Sequence, residues 1–186
     1  GKLVKLEIHW QQRINKYSHI RDGRVDRDSI FLAYFYPRIA VYDDIDGWNR
    51  SEYSGTSEFY NDFGNYDVTV KLPAGYIAWA TGILQNPQEI FKERILNRYR
   101  RAQKSRKAIP ILENADLKRG NFLKNGSKGF RFKAENVNDF AIAISRYYCW
   151  YGQSLQVDSK KNRNLFLDIA FSPRTPGFLE IQTQAA

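Results

Sequence analysis

The fold is decided by residues 34–82, YFYPRIAVYDDIDGWNRSEYSGTSEFYNDFGNYDVTVKLPAGYIAWATG. This stretch holds 12 of the 28 aromatic residues, and it has seven Asp or Glu against three Lys or Arg in a chain of net charge +9. Aromatic residues favour strands, whereas Gly, Asn and Asp favour turns. We therefore predict a strand, a long structured loop and then a pair of strands.

The clearest pattern within this stretch is the alternation of YDVTVKL at 66–72. Its apolar face consists of Tyr66, Val68, Val70 and Leu72. A period of two is typical of a half-buried strand. Because PAG at 73–75 is turn sequence and 76–82 is apolar again, we predict a hairpin of 66–72 with 76–82. The Asp46-Gly47 pair predicts another turn, and residues 49–64 predict a long loop.

Further strands are predicted on both sides of the stretch. Residues 3–10 alternate and predict a half-buried strand, whereas the polar residues 11–29 predict a turn-rich loop. An apolar run at 30–36 predicts a strand that ends at Pro37.

The C-terminal half also contains strand patterns. Residues 129–135 alternate, and residues 140–151 are apolar on both faces, which predicts one central strand. Two more strands are predicted at 153–158 and 163–171. The sequence FLEIQTQAA at 178–186 predicts the first turns of a truncated C-terminal helix.

One amphipathic helix is predicted at about 87–104. Asn86 can cap it, Pro87 suits its first position, and Glu89 completes a capping box. Its apolar stripe consists of Phe91, Ile95, Tyr99 and Ala102. Positive charges occupy the other faces.

These patterns together predict a mainly β domain of seven to nine strands, in a two-sheet, sandwich-like arrangement with one inserted helix. A chain of 186 residues has room for one domain with a substantial core. We place that domain at 1–172, with a linker and the start of a further domain at 173–186. No apolar run is long enough for a membrane span.

Residues suited to catalysis or metal binding are few. The chain has two histidines and one cysteine. His9 belongs to the alternating segment and His19 to a polar loop, so we expect structural or solvated roles for both. Cys149 lies in the most apolar run, which predicts a buried, unreactive thiol.

An acidic group at Asp43, Asp44 and Asp46 could suggest a cation site. Its spacing does not follow the calcium-loop pattern, which requires a Glu at position twelve. We favour turn hydrogen bonding around Gly47. No metal site is predicted in this chain.

Positive charge is concentrated in one element. Residues 92–107 contain eight Lys or Arg and a single acid, Glu93. Such a run could bind phosphates. We favour a solvated helix face and expect no nucleic acid partner, because the neighbouring aromatic residues belong to strands rather than to a stacking platform.

Several of these segments together resemble a known family. They are YPR at 36–38 followed by DD at 43–44, YDVTVKLPAGYIAWATGILQN at 66–86, and FKAENVNDFAIAIS at 132–145. In order and type they resemble the N-terminal β domain of the aminopeptidase N family of zinc metallopeptidases, in its Bacteroidetes-type branch. The resemblance covers residues 3–171 and is most specific at 34–86.

This resemblance implies a saddle-like β domain that packs against a thermolysin-like catalytic domain. In the family, the zinc ion, the HExxH helix and the GxMEN strand belong to that next domain, and neither motif is in this sequence. The chain is therefore expected to be an internal fragment that is inactive alone and holds no cofactor. The parent protein would bind zinc and remove N-terminal residues from peptides.

The resemblance also assigns a role to one position. In the family, a Gln or Glu three positions before the motif proline helps to hold the α-amine of the substrate, and the matching residue here is Tyr34. A phenol can accept a hydrogen bond from an ammonium group and offer its ring face to the cation. The alternative is that Tyr34 is a packed strand residue.

A different function is also open. Trp48, Tyr53 and Tyr60 lie on the predicted long loop, and exposed aromatic side chains could bind a glycan or a peptide. The chain would then be a stand-alone β-sandwich binding module. The same aromatic residues could instead fill the interior of the loop.

Overall fold

A computed structural model describes residues 3–17, 21–52, 59–126 and 129–174. The protein is mainly β, as predicted. The strands are β1 (Asp22–Asp26), β2 (Ser29–Leu32), β3 (Tyr42–Asp43), β4 (Gly47–Trp48), β5 (Gly64–Val70), β6 (Ile77–Ala80), β7 (Ile83–Leu84), β8 (Ile109–Leu112), β9 (Phe130–Val137), β10 (Ile142–Ser145), β11 (Cys149–Asp158) and β12 (Arg163–Phe171). The helices are α1 (Pro87–Ile90), α2 (Glu93–Ala102) and α3 (Asn114–Arg119).

Hydrogen bonding joins these strands into antiparallel sheets. The sheet orders are β1-β2-β10-β6, β12-β11-β8, β5-β9-β7 and the small pair β3-β4. The core lies where α1, α2 and β8 meet the inner faces of the sheets. Among the residues described, no helix is both long enough and apolar enough to span a bilayer.

The alternation at 66–72 is confirmed in β5. Tyr66, Val68 and Val70 are partly buried, whereas the residues between them are exposed. The predicted hairpin is wrong, because β5 pairs with β9 and β6 pairs with β10 in another sheet. The turn before β6 is present, with Gly75 at φ +85°. This turn carries the chain from one sheet to another. The strand β9, rather than β6, supplies the apolar partners that bury the inner face of β5.

The predicted single strand at 140–151 is two strands in two sheets. The chain leaves β10 after Ser145, whose hydroxyl accepts a hydrogen bond from the N–H of Tyr147 at 3.0 Å. Ser29 contacts the same hydroxyl at 2.9 Å. A side chain that binds its own backbone competes with the ladder, so the apolar run ends its first strand there.

The polar segment RDGRVDRDS was predicted as a loop, yet it forms the hairpin of β1 and β2. The carboxylate of Asp26 accepts the N–H of Asp28 at 2.9 Å and closes the turn. Because β1 is an edge strand and largely exposed, its sequence carries no apolar alternation.

The strand predicted at 3–10 is wrong. This segment has no ladder hydrogen bonds, and Val4 is 73% exposed and Ile8 51% exposed. A hydrogen bond joins the segment to the rest of the domain. The indole N–H of Trp10 donates to the carbonyl of Phe35 at 2.9 Å. A segment with an alternating pattern forms a half-buried strand only where a neighbouring strand pairs with it.

The predicted helix at 87–104 is broken into α1 and α2. Pro87 begins α1, as predicted, but Asn86 makes no side-chain cap. Its amide instead donates to the carbonyl of Gly129 at 2.9 Å and accepts the N–H of Arg131 at 3.0 Å. Phe91 between the two helices is extended and forms a bridge with Leu123.

The apolar stripe of this segment is confirmed. Its residues are all buried: Phe91, Ile95, Tyr99 and Ala102. The ring of Phe91 lies 5.6 Å from that of Trp150, and the ring of Tyr99 lies 5.2 Å from it. The stripe therefore forms the centre of the aromatic core.

The helix α3 was not predicted. It begins with a capping box between Glu113 and Asp116 and ends at Gly120, which has φ +63°. The helix predicted at 178–186 lies outside the described residues.

Candidate functional site

The candidate site is the segment from Tyr34 to Arg38, which follows β2. Its most constrained side chain is Arg38, whose guanidinium lies over three aromatic rings. The distances to the ring centroids are 4.9 Å for Tyr36, 5.4 Å for Tyr34 and 6.0 Å for Phe59. Each contact at this range is a cation–π attraction.

A carboxylate from another part of the chain completes this cluster. Arg38 Nη2 donates to Asp139 Oδ1 at 2.5 Å, and the hydroxyl of Tyr36 lies 3.1 Å from the same oxygen. The backbone N–H of Phe140 also donates to that oxygen, at 2.6 Å. Asp139 therefore joins the candidate site to the start of β10.

Burial and hydrogen bonding shift the acidity of this cluster. Burial raises the pKa of the Tyr36 phenol, and its hydrogen bond with Tyr66 raises it further. Burial by itself lowers the pKa of the Arg38 guanidinium, but the hydrogen bond to Asp139 and the electrostatic interactions with Tyr36, Asp139 and Tyr66 together outweigh it, so the net change is upward. Both groups keep their protons at neutral pH, so the cluster supplies no general base through them.

Tyr34 is partly buried beside this cluster. Its hydroxyl accepts a hydrogen bond from Arg21 Nη1 at 2.6 Å. Its ring meets that of Phe59 edge-on at 4.8 Å and lies within 6 Å of the guanidinium groups of Arg21 and Arg38. An incoming ammonium would compete with these arginines both for the phenol oxygen and for the ring.

One donor in the cluster lacks a partner in the part of the chain that the structure describes. Arg38 Nη1 is buried there without a hydrogen bond, and leaving such a donor unpaired is costly. A carbonyl or carboxylate oxygen would satisfy it.

The acidic group forms a turn, as we favoured. Asp43 Oδ1 accepts the N–H groups of Ile45 at 3.0 Å and Asp46 at 2.7 Å. Gly47 follows at φ +73°, a conformation suited to glycine. Within the described ranges, no group of three or more His, Cys, Asp or Glu could hold a metal ion.

Two further predictions about single residues are confirmed. His9 is exposed and lies 3.1 Å from Glu7. Cys149 is buried, and burial raises the pKa of its thiol. A thiol with a raised pKa is a poor nucleophile at neutral pH. His19 lies outside the described residues.

The loop aromatics are exposed where the structure describes them. Trp48 is 53% exposed and stacks edge-on against Tyr42 at 5.1 Å, across the pair β3 and β4. Tyr60 is 54% exposed. Tyr53 lies outside the described residues.

The basic element contains an ion-pair network that sequence reasoning missed. Asp116 is buried, and its carboxylate accepts hydrogen bonds from Arg94 and, at 2.7 Å, from Arg98. Arg98 also lies 3.3 Å from Glu113. The predicted solvated face holds for Arg94, whose side chain is 42% exposed, whereas Arg98 is partly buried at 27%. The capping-box spacing of Glu113 and Asp116 was the signal that could have located the acid.

Comparison of the chain with protein-family models, curated proteins and solved structures finds no match in any of the three.

Proposed function

We propose that this chain is a non-catalytic β domain of a zinc aminopeptidase-like protein, and that it packs against a catalytic domain. The observation that carries the proposal is the number of large apolar side chains that are exposed at residues 3–10, 39–52 and 59–63. The most exposed large side chains there are Leu3, Val4, Leu6, Ile8, Trp10, Ile39, Tyr42, Ile45, Trp48, Tyr60 and Phe63. Where such side chains lie together, they are typical of a surface that docks another protein unit.

The mainly β architecture supports the proposal, because the resembled domain is also built from β sheets. The motifs at 34–86 carry the resemblance on which the proposal rests, and the sequence holds no HExxH motif. In this proposal Tyr34 borders the substrate pocket. Since Arg21 and Arg38 already contact its hydroxyl and ring, its role is to shape that border rather than to anchor an ammonium alone.

The first test is enzymatic. The purified chain is incubated with a panel of aminoacyl-nitroanilides, with added zinc and with a chelator. We expect no hydrolysis in either condition. Hydrolysis that the chelator abolishes would place the chemistry in this chain and refute the proposal.

The second test is the coding sequence that follows residue 186. We expect an HExxH motif with a later Glu within about 250 residues, the length of a large domain. The region carrying that motif, expressed separately, should bind the chain. A downstream sequence without zinc-ligand spacing would remove the peptidase assignment and leave the docking surface unexplained.

A second candidate function is a binding module for a glycan or a peptide. It is favoured by the edge-on pair of Trp48 and Tyr42, whose faces are open to solvent. Glycan-array binding that is lost in Trp48→Ala would support it. Trp10→Ala is the matched control, because Trp10 is 54% exposed on a different segment.

A further inference from the structure

The basic element, residues 92–107, ends in cations that make no ion pair in the described structure. Its last four are Arg101, Lys104, Arg106 and Lys107, all exposed. We call them the 101–107 cations. In the described part of the chain none of them has an ion pair, whereas Arg94 and Arg98 bind Asp116 and Arg100 lies 3.6 Å from Glu93.

Helix stability does not account for the 101–107 cations as a group. Arg101 lies in the last turn of α2, where a positive charge interacts favourably with the helix dipole. Lys104, Arg106 and Lys107 lie beyond the end of the helix, and the dipole effect falls off within about one turn. These three positive charges therefore repel one another, and no interaction with the helix dipole offsets that repulsion.

The loop that holds these charges is fixed in place. The carbonyl of Ser105 accepts the N–H of Ser154 on β11 at 2.6 Å. The Ser105 hydroxyl donates to the carbonyl of Lys107 at 2.7 Å and accepts its N–H at 3.1 Å. A loop fixed in this way loses less conformational entropy when it binds a ligand.

The strand that anchors the loop leads to a second group of cations. At the tip of the β11–β12 hairpin, Lys160, Lys161 and Arg163 are exposed and have no ion pair in the described structure. The carboxylate of Asp158 accepts the backbone N–H groups of Lys160 and Lys161. From Ser154 to Asp158 the strand rises about 13 Å, which sets the spacing of the two groups along β11. We call the two groups together the basic surface.

The sequence favoured a solvated face with no nucleic acid partner, but these cations have no ion pair in the described structure, and we propose instead that this surface binds the phosphate backbone of a nucleic acid without reading its bases. Several cations spaced along a surface match a polymer of repeated negative charges. The segment 100–107 exposes no apolar or aromatic side chain, because Ala102 is buried. A membrane-binding element would insert such side chains, and a protein interface would have an apolar core. The β11–β12 hairpin does expose Val157 and Leu165, so it is the segment 100–107 alone that disfavours a membrane or protein partner. Base stacking is absent from this segment, since the nearby Tyr99 is buried.

The test is fluorescence anisotropy of the full chain with labelled mixed-sequence oligonucleotides, duplex and single-stranded, over a salt series. We expect binding that does not depend on sequence. With four to seven phosphates contacted, the slope of log K against log salt for duplex is about −4 to −6. Affinity then falls about a hundredfold or more between roughly 50 and 200 mM salt.

Three variants make the test specific. Changing the 101–107 cations together to Gln should reduce the slope by about four, because each phosphate contact contributes about one. Exchanging Lys and Arg at the same four positions keeps the charge and should retain binding. Removing four exposed cations elsewhere, by Lys5→Gln, Arg13→Gln, Arg24→Gln and Lys71→Gln, lowers the net charge equally and should leave most of the affinity.

Several outcomes would overturn the proposal. One is no oligonucleotide binding at low salt by the folded wild-type chain. Another is an equal loss of affinity in the Gln variant and in the distant four-site control, which would show a general charge effect. A third is binding to vesicles with anionic lipids but not to oligonucleotides, which would assign the surface to membranes. Thermal unfolding of each variant verifies that it is folded.

Discussion

Aromatic side chains are buried in one region of the molecule and exposed in another. Around α2, β9 and β11, the rings of Phe91, Tyr99 and Trp150 are each less than 5% exposed. In the region from β3 to the start of β5, Tyr42 is 63% exposed and Trp48 is 53% exposed. The difference teaches that aromatic content does not decide burial. Burial requires packing elements on several sides, and the described residues of 42–63 contribute a two-stranded pair.

The contrast between the two regions is tested most strongly by replacing one tryptophan in each region with alanine. We expect Trp150→Ala to lower the free energy of unfolding by about 4 kcal/mol, because it leaves a cavity in the core. The matched exposed change, Trp48→Ala, should cost less than about 0.5 kcal/mol. Urea unfolding followed by circular dichroism measures both. Equal losses would show that the two regions are packed alike.

Two ion pairs of the molecule show the same contrast between a buried and an exposed position. Asp116 is buried against Arg94 and Arg98, whereas Asp67 on β5 binds Arg131 on β9 at the surface, with both side chains nearly half exposed. Asp116→Ala leaves Arg94 without its carboxylate partner, leaves Arg98 with Glu113 alone and removes the N3 member of the capping box, so we expect a loss of about 3 kcal/mol. Asp67→Ala should have a much smaller effect, since surface pairs contribute little. Chemical denaturation measures the free energy of unfolding of both variants. A larger loss for Asp67→Ala than for Asp116→Ala would contradict this expectation.

The pH dependence of stability is a finer test of the same contrast. Burial by itself raises the pKa of Asp116, but the hydrogen bonds from Arg94 and from the N–H of Glu113, with the nearby charges, lower it overall. Because the folded-state pKa lies below that of the unfolded chain, ionised Asp116 stabilises the fold above about pH 4. This stabilisation is lost as the pH falls through the folded-state pKa.

Asp116→Asn should therefore lose less stability than the wild type between neutral and acidic pH. Thermal unfolding over a pH series measures this difference. Asp67→Asn serves as the surface control. Parallel pH profiles for the wild type and Asp116→Asn would show that the carboxylate is not held in its ionised form by the fold.

Local sequence patterns located the elements whose burial is one-sided. The alternation of β5 and the stripe of Ile95, Tyr99 and Ala102 on α2 were both predicted, because each pattern reports which face is buried. The partners of these elements were not predictable in the same way. The turn at 73–75 is compatible with a hairpin, yet β9, about 60 residues away, pairs with β5.

The candidate site shows the same limit. Tyr34 and Arg38 were singled out by their motif, whereas Asp139 was not, although it holds Arg38 in place from about 100 residues away. Asp116 was missed for the same reason, since its arginines lie on another helix. Polar networks between distant segments leave no periodic signal in the sequence.

The account rests on the claim that the apolar surface of the N-terminal segment and residues 39–63 is open for docking. Hydroxyl-radical footprinting of the isolated chain tests this most directly. We predict strong modification of Trp10, Tyr42 and Trp48 in the folded protein, together with protection of Phe91 and Trp150. Protection of Tyr42 and Trp48 equal to that of Trp150 would show that this surface is buried within the chain itself, and the docking account would be contradicted.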